Sequence, residues 1–226
     1  MERFIALDTE TTGLKISEGH RIIEIGAVEI VNREITGNEF RKYIFSNKLV
    51  GKSLDVHGIS DVFLRKNGEE FKKIIHDFIA FIKDATLVIH NAPFDLGFLN
   101  HELKLIGINQ NIESFCNKDK AVIDTLVLDR KENPDNRHSL DALCRRYQID
   151  DSSRIKHGAL IDSRILAKVY LKLTGGQFEV FQETTSTKSE QCDPSLIKRV
   201  HENRDKIKVI YANKDEIETH ENYFQN

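Results

Sequence analysis

The chain has 226 residues, of which 39% are apolar and 31% charged, and its formal net charge is −3. That is enough for one domain of ordinary size with a tail, and it supports a real hydrophobic core. No apolar run approaches a membrane span, and Met1-Glu2-Arg3 leads directly into the first apolar run, so neither membrane association nor a signal peptide is expected. Cys116, Cys144 and Cys192 are widely spaced and form no metal or redox pair. They read as free thiols in a reducing cytoplasm. Residues 175–226 carry 7 Lys+Arg and 10 Asp+Glu, which leaves 26 of each for residues 1–174. A protein that holds nucleic acid unaided usually has a basic excess. If this one acts on nucleic acid, it depends on metals or partners.

In chain order, Phe4-Ile5-Ala6-Leu7 reads as a buried strand running into Asp8-Thr9-Glu10-Thr11-Thr12-Gly13. Leu14 to His20 is a polar loop. Arg21 to Val31 predicts a second strand, Asn32-Arg33 a tight turn, and Glu34 to Phe45 a third strand antiparallel to the second. Asn47 to Ser53 is a loop, and Val56-His57-Gly58-Ile59 a short turn. Phe71, Ile74, Ile75, Phe78, Ile79 and Ile82 have the spacing of an amphipathic helix over 70–83. Ala85 to Ile89 is a buried fourth strand, and Pro93 opens a helix through Leu103. Val122-Ile123 is a fifth strand ending at Asp124. Helices follow at Ser139–Tyr147 and from Gly158 or Ala159 to Leu173. Strand–helix–strand alternation from 85 to 124 implies parallel pairing. The expected fold is a three-stranded antiparallel meander beside two parallel strands, a ribonuclease H-like mixed five-stranded sheet flanked by helices. Thr174-Gly175-Gly176 ends this domain, 1–176. Residues 177–194 read as a linker, polar from Gln182 to Asp193. Residues 195–226 form a tail too small to bury its own core.

Alternate residues of a strand share a face, so Asp8 and Glu10 project to one side. Paired carboxylates repel and are costly to desolvate unless a cation sits between them. Alone, the pair is a solvated strand end. Asp95 lies just after the fourth strand, where a helix N-terminus would account for it by itself. In His157-Gly158-Ala159-Leu160-Ile161-Asp162, Gly158 permits a sharp entry into a helix, and the residue ahead of that helix can hang over Asp162; on its own, Asp162 could be a cap. Together the four acids require cations. All-oxygen sites select Mg²⁺ or Mn²⁺, and two such ions form the clamp for displacement at phosphorus. A histidine is a suitable base for the attacking water.

On these motifs the chain resembles the DEDD-type 3′–5′ exonucleases of the histidine subclass and, more narrowly, the proofreading epsilon subunits of bacterial DNA polymerase III. The matching motifs are Asp8 to Gly13, His90-Asn91-Ala92-Pro93-Phe94-Asp95, and His157 through Asp162. Ile23 to Ala27 and Ser139 to Cys144 also look like family sequence, and the likeness covers 3–176. The resemblance implies two divalent cations, with Asp8, Glu10 and Asp162 on the tighter one, Asp8 bridging to a second, and Asp95 on that second ion. It implies His157 as general base and a nucleotide site formed by Asp8, Thr9, Glu10, His57, Asn91, Phe94 and Asp162. Lys52 stands where close relatives tend to carry an acid that contacts the nucleotide. Gln177-Phe178-Glu179-Val180-Phe181 resembles a sliding-clamp docking peptide, with Gln177, Phe178 and Phe181 as the contacts. The tail resembles the anchor for the polymerase alpha subunit. The resemblance also leaves room for a small theta-like subunit.

The expected function is thus removal of mispaired nucleotides from DNA 3′ ends in the cytoplasm. An RNA-trimming exonuclease with the same acids is the rival within the enzyme class; it would need neither clamp peptide nor anchor. A non-catalytic scaffold between polymerase and clamp is the rival outside it; it would need neither the acids nor His157.

Overall fold

The computed structural model describes residues 2–151 and 156–175. The expected clamp peptide, linker and polymerase anchor lie outside them. The first strand, β1 (Arg3–Thr11), is longer than its apolar run suggests and holds Asp8 and Glu10 within it. Alternation explains this. Ile5, Leu7 and Thr9 face one layer of helices, while Ala6, Asp8 and Glu10 face the other. β2 (Ile22–Val31) and β3 (Glu34–Tyr43) complete the antiparallel meander. β3 ends two residues short of the expected Phe45, and Ile44 makes only an isolated bridge to Glu69.

Three short helices replace the predicted loop and turn after β3. A 3-10 turn at Gly51–Ser53 runs into α1 (Leu54–His57), and α2 (Asp61–Asn67) follows with Ser60 as its cap. α3 (Phe71–Ile82) is the predicted amphipathic helix. β4 (Thr86–Ile89) leads into α4 (Ala92–Leu105). β5 (Val122–Asp124) leads into α5 (Thr125–Glu132), which was not anticipated. α6 (Leu140–Arg146) is capped by the Ser139 hydroxyl, and α7 (Ala159–Gly175) ends the described chain.

The sheet order is β3-β2-β1-β4-β5, with β1/β2 and β2/β3 antiparallel and β1/β4 and β4/β5 parallel. This is the predicted mixed sheet. On one face, Ile5, Leu7, Ile25 and Leu87 pack against α3 and α4 through Ile75, Phe78, Phe98 and Leu99. On the other, Ala6, Val28, Ile30 and Val88 pack against α7 through Leu160, Leu166, Ala167 and Tyr170. Burial of the larger of these side chains contributes about 1.5–3 kcal/mol each before the entropy of ordering is counted. Cys116 and Cys144 are buried, and neither forms a disulfide among the described residues. Among the described residues no helix is long and apolar enough to cross a membrane.

α7 lies unusually close to β2. A Cβ at Gly26 would stand 2.2 Å from the Ala159 carbonyl carbon and the Leu160 nitrogen, so only glycine fits there. Ser163 then donates its hydroxyl to the Gly26 carbonyl at 2.8 Å. On the opposite face, the fully buried carboxylate of Glu102 on α4 accepts Nε of Arg21 at 2.7 Å and ties that helix to the start of β2.

Candidate active site

Asp8 and Glu10 rise from β1 on the α7 face, directly across the ladder from Gly26 and Glu24. Asp162, in the first turn of α7, comes down onto them. One carboxylate oxygen from each of Asp8, Glu10 and Asp162 lies within 4.8 Å of the others. Oxygens that share a hard cation at 2.0–2.6 Å stand at most about 4–5 Å apart, so this trio fits one divalent ion. Its donors are all oxygen, which favours Mg²⁺ or Mn²⁺ over softer ions.

Asp95 is placed differently. It sits in the first turn of α4, on the other side of the sheet, and is 3% exposed. It is not part of the trio; Thr9 Oγ1 donates to its Oδ1 at 2.6 Å. Burial pushes its pKa up to about 7, with the Asp124 charge adding to the effect, while hydrogen bonds from Thr9 and the backbone oppose it. The four acids therefore gather as three plus one. Thr9, between Asp8 and Glu10 but facing the other way, links the two parts.

The helix that carries Asp95 is fixed by Asp124 at the end of β5. Its Oδ1 accepts the Asn91 N–H at 3.1 Å and its Oδ2 the Ala92 N–H at 3.0 Å. The same carboxylate caps α5 through Leu126 N at 2.9 Å. Asn91 takes the left-handed conformation, φ 69°, at the entry to α4. Its side chain is exposed and contributes nothing to the pocket wall described next.

His157 stands two residues ahead of α7. Its Nδ1 is 3.0 Å from Asp162 Oδ2, so the histidine does hang over the carboxylate. Its side chain is 44% exposed and open to solvent. A hydrogen on Nδ1 donated to Asp162 leaves the lone pair on Nε2, the base form of the ring. The backbone N–H of His157 reaches the Val56 carbonyl at 3.3 Å.

Beside the acids opens a pocket of about 560 Å³, within the range of small-ligand sites. Thr9, Glu10, Lys52, His57 and Phe94 line it, five of the residues expected at the nucleotide. Its remaining wall includes Leu14, Leu49 and Val56, all apolar and exposed. Sequence reasoning missed this rim. Its only signal is a scatter of large apolar residues in otherwise polar loops. Phe94 is backed by Phe98, ring centroids 5.0 Å apart, which holds the ring edge of α4 towards the pocket. His57 is buried, and its Nδ1 accepts the Ile59 N–H at 3.0 Å, which places the hydrogen on Nε2. That Nε2 makes no hydrogen bond of ordinary geometry among the described residues, although the Thr11 backbone acts on the ring as a weak acceptor. Burial holds its pKa below the ordinary value, and the Lys156 and His157 charges push the same way. His57 also lines a second cavity of about 380 Å³, shared with Glu24, Arg41, Tyr43 and His157.

Over residues 5–170 the sequence matches the family described as Exonuclease (RNase_T). The chain is 44% identical over 225 residues to the DNA polymerase III subunit epsilon of Escherichia coli (strain K12), spanning 97% of this chain and 90% of the relative. It is 44% identical over 223 residues to that of Rickettsia prowazekii (strain Madrid E), spanning 98% and 95%. Among solved structures, the zinc-bound E. coli ExoI–ssDNA complex superposes with a TM-score of 0.65 at 17% identity, over 81% of this chain and 42% of that one. Exonuclease X in complex with 5′ overhanging duplex DNA superposes with a TM-score of 0.54 at 21% identity, over 78% of this chain and 93% of that one. At those identities the structures speak to the fold alone.

Proposed function

The chain belongs to the Exonuclease (RNase_T) family, with DNA polymerase III epsilon subunits as relatives at 44% identity, and from that premise we propose that it removes mispaired nucleotides from DNA 3′ ends as the proofreading subunit of a bacterial replicative polymerase. The observation that carries this reading is the acid trio, within 4.8 Å, whose Glu10 also lines a pocket of nucleotide size.

Asp8, Glu10 and Asp162 would hold one divalent cation, and Asp95 would serve a second. Bound Mg²⁺ or Mn²⁺ supplies charge neutralisation at the scissile phosphate and a water acidic enough to attack. The chain's own groups do the rest. His157 takes the water proton on Nε2 while Nδ1 stays oriented by Asp162. The new P–O bond forms as the bond from phosphorus to the 3′-oxygen of the preceding nucleotide breaks, and that oxygen is reprotonated from solvent. The product is a 5′-mononucleotide. Phe94, Leu14, Leu49 and Val56 offer apolar surface to the terminal base. His57 Nε2–H and Lys52 supply donors to its sugar and phosphate.

Selectivity follows from fraying. The pocket takes a single-stranded terminus, and a mismatched end unpairs at lower cost than a matched one. No sequence reading is required. The balanced charge of residues 1–174 fits an enzyme to which DNA is delivered. Delivery falls to the polymerase alpha subunit, bound through 195–226, and to a sliding clamp at Gln177, Phe178 and Phe181. The setting is the cytoplasm.

The test is degradation of a 3′-labelled DNA primer, matched or mismatched at its end, with Mg²⁺, Mn²⁺ or chelator, beside an RNA oligomer. Metal-dependent release of mononucleotides, faster from the mismatched end, is expected. Preference for RNA would make the protein a trimming enzyme, and no release with any metal would remove the nuclease reading.

A further inference from the structure

Glu24 is a charged residue in an apolar strand, between Ile23 and Ile25, and it is fully buried. It faces Glu10 directly across the β1–β2 ladder, so both carboxylates rise on the α7 side. They do different things there. Glu10 joins the acid trio. Glu24 turns to two other partners: Oε1 accepts Nε of Arg41 on β3 at 2.7 Å, and Oε2 accepts the backbone N–H of Ala159 at 3.1 Å. We propose that Glu24, held by Arg41, is a positioning residue that sets where His157 and Asp162 stand over Asp8 and Glu10. The catalytic consequence rests on the exonuclease reading above; the geometric claim does not.

Ala159 is the first residue of α7. A helix leaves its first N–H groups without intrahelical partners, and the macrodipole favours a negative charge beside them. The residue ahead of this helix is Gly158, which has no side chain to serve as a cap. The acceptor comes instead from a strand more than a hundred residues away in sequence. Two residues before Ala159 is the base, and three residues after it is the metal acid. The segment has two further fixings: the His157 N–H on the Val56 carbonyl, and the Asp162 N–H on the Gly158 carbonyl at 2.9 Å. β2 thus pairs with the strand that carries Asp8 and Glu10 and also holds the helix that carries Asp162. Glu24 makes the second connection through the Ala159 N–H, and Gly26 makes it through contact and through its carbonyl, which accepts the Ser163 hydroxyl.

Stability alone does not account for the pair. Glu24 is fully buried while Arg41 is 43% exposed, so the carboxylate gives up its hydration for an attraction that solvent partly screens, and apolar residues of similar volume at such sites often serve the fold equally well. What the apolar residues cannot provide is an acceptor for the Ala159 N–H. Glutamine at 24 keeps one acceptor but turns its NH₂ donor on whichever of Arg41 and Ala159 the oxygen does not serve, so it cannot hold both.

The experiment uses the full chain, Mn²⁺ and a single-stranded DNA oligonucleotide, with hydrogen exchange at the Ala159 amide read in parallel. In Glu24→Gln, kcat is expected to fall about 10- to 100-fold with KM within about threefold, as for a small misplacement of reacting groups, and Ala159 exchange should accelerate. In the double variant Glu24→Leu, Arg41→Leu, the unfolding midpoint should return close to wild type while kcat stays low. A merely structural pair would give the opposite, with kcat regained as stability is regained, and that result overturns the proposal. So does a Glu24→Gln kcat within about twofold of wild type. If the double variant does not fold, Glu24→Gln decides alone. If wild type shows no turnover, the nuclease reading fails, and unchanged Ala159 exchange in Glu24→Gln would separately overturn the positioning role.

Discussion

Replacing Gly26 by alanine puts a methyl group into the space where α7 rests on β2. Its carbon would lie 2.2 Å from backbone atoms of Ala159 and Leu160. Ordinary carbon contacts are about 3.5–4.0 Å, so the start of the helix must move away by about 1.5 Å. Neither obstacle is the end of a flexible side chain, so the movement cannot be absorbed locally. The hydrogen bonds from Ser163 to the Gly26 carbonyl and from Ala159 to Glu24, at 2.8 and 3.1 Å, stretch with it. Overpacking of this kind typically costs about 1–3 kcal/mol, or roughly 2–10 °C in midpoint for a domain of this size. The larger effect is on chemistry. His157 and Asp162 ride on the displaced segment while Asp8 and Glu10 stay on β1. A misplacement of about 1 Å can cost 10²-fold in rate. Gly26→Ala should therefore fold, with a lowered midpoint in urea, and lose about 10²-fold or more in kcat on single-stranded DNA. A folded Gly26→Ala protein with kcat within about threefold of wild type would refute the claim that α7 is seated by this contact.

Other expectations follow from the same geometry. His157→Ala should keep its fold and its Mn²⁺ affinity, since the ring is half exposed, while turnover falls about 10²–10⁴-fold; wild-type turnover would remove His157 from the mechanism. Asp95 has its pKa raised from 3.8 to about 7 in the folded chain. Both states are protonated below pH 4. Between 4 and 7 only the unfolded chain ionises, so metal-free stability falls as pH rises, by at most about 4 kcal/mol at full ionisation. Asp95→Asn should then unfold at a higher temperature than wild type at pH 8 without metal, with the gap closing towards pH 4; an equal gap at both pH values contradicts the assignment. Deleting 195–226 should leave exonuclease activity and abolish co-purification with the polymerase; retained co-purification refutes the anchor.

Much of the fold is written locally. The unbroken apolar run Phe4 to Leu7 and the helical spacing of Phe71 to Ile82 fix element type, because the run suits a strand covered on both faces and the spacing gives a helix one face to bury. The five-stranded order could be read from chain order and from the parallel pairing that strand–helix–strand alternation requires. The short helices at 51–57 and 61–67 could not. They are too brief for a periodic signal, and they form because Val50, Ile59 and Leu64 bury against Ile23. α5 was missed for a related reason: its N-terminus is supplied by the Asp124 carboxylate, which also serves α4.

The acids show the same division. Asp8 and Glu10 share a face because backbone geometry alternates, and any strand with this sequence would place them so. That Asp162 meets them depends on a helix from the far end of the domain lying against Gly26, a contact no local pattern encodes. That Asp95 sits apart, behind Thr9 on the opposite face, depends on which side of the sheet α4 crosses. The apolar rim of Leu14, Leu49 and Val56 comes from the loop after β1 and from the stretch that runs into α1, which are neighbours only after folding. Sequence by itself determined which residues carry the chemistry, since residue type and local period are properties of the chain. Tertiary structure decided that Asp162, with the His157 that overhangs it locally, comes down onto Asp8 and Glu10. It also decided the role of Glu24, because each of these depends on how close separate elements are allowed to pack.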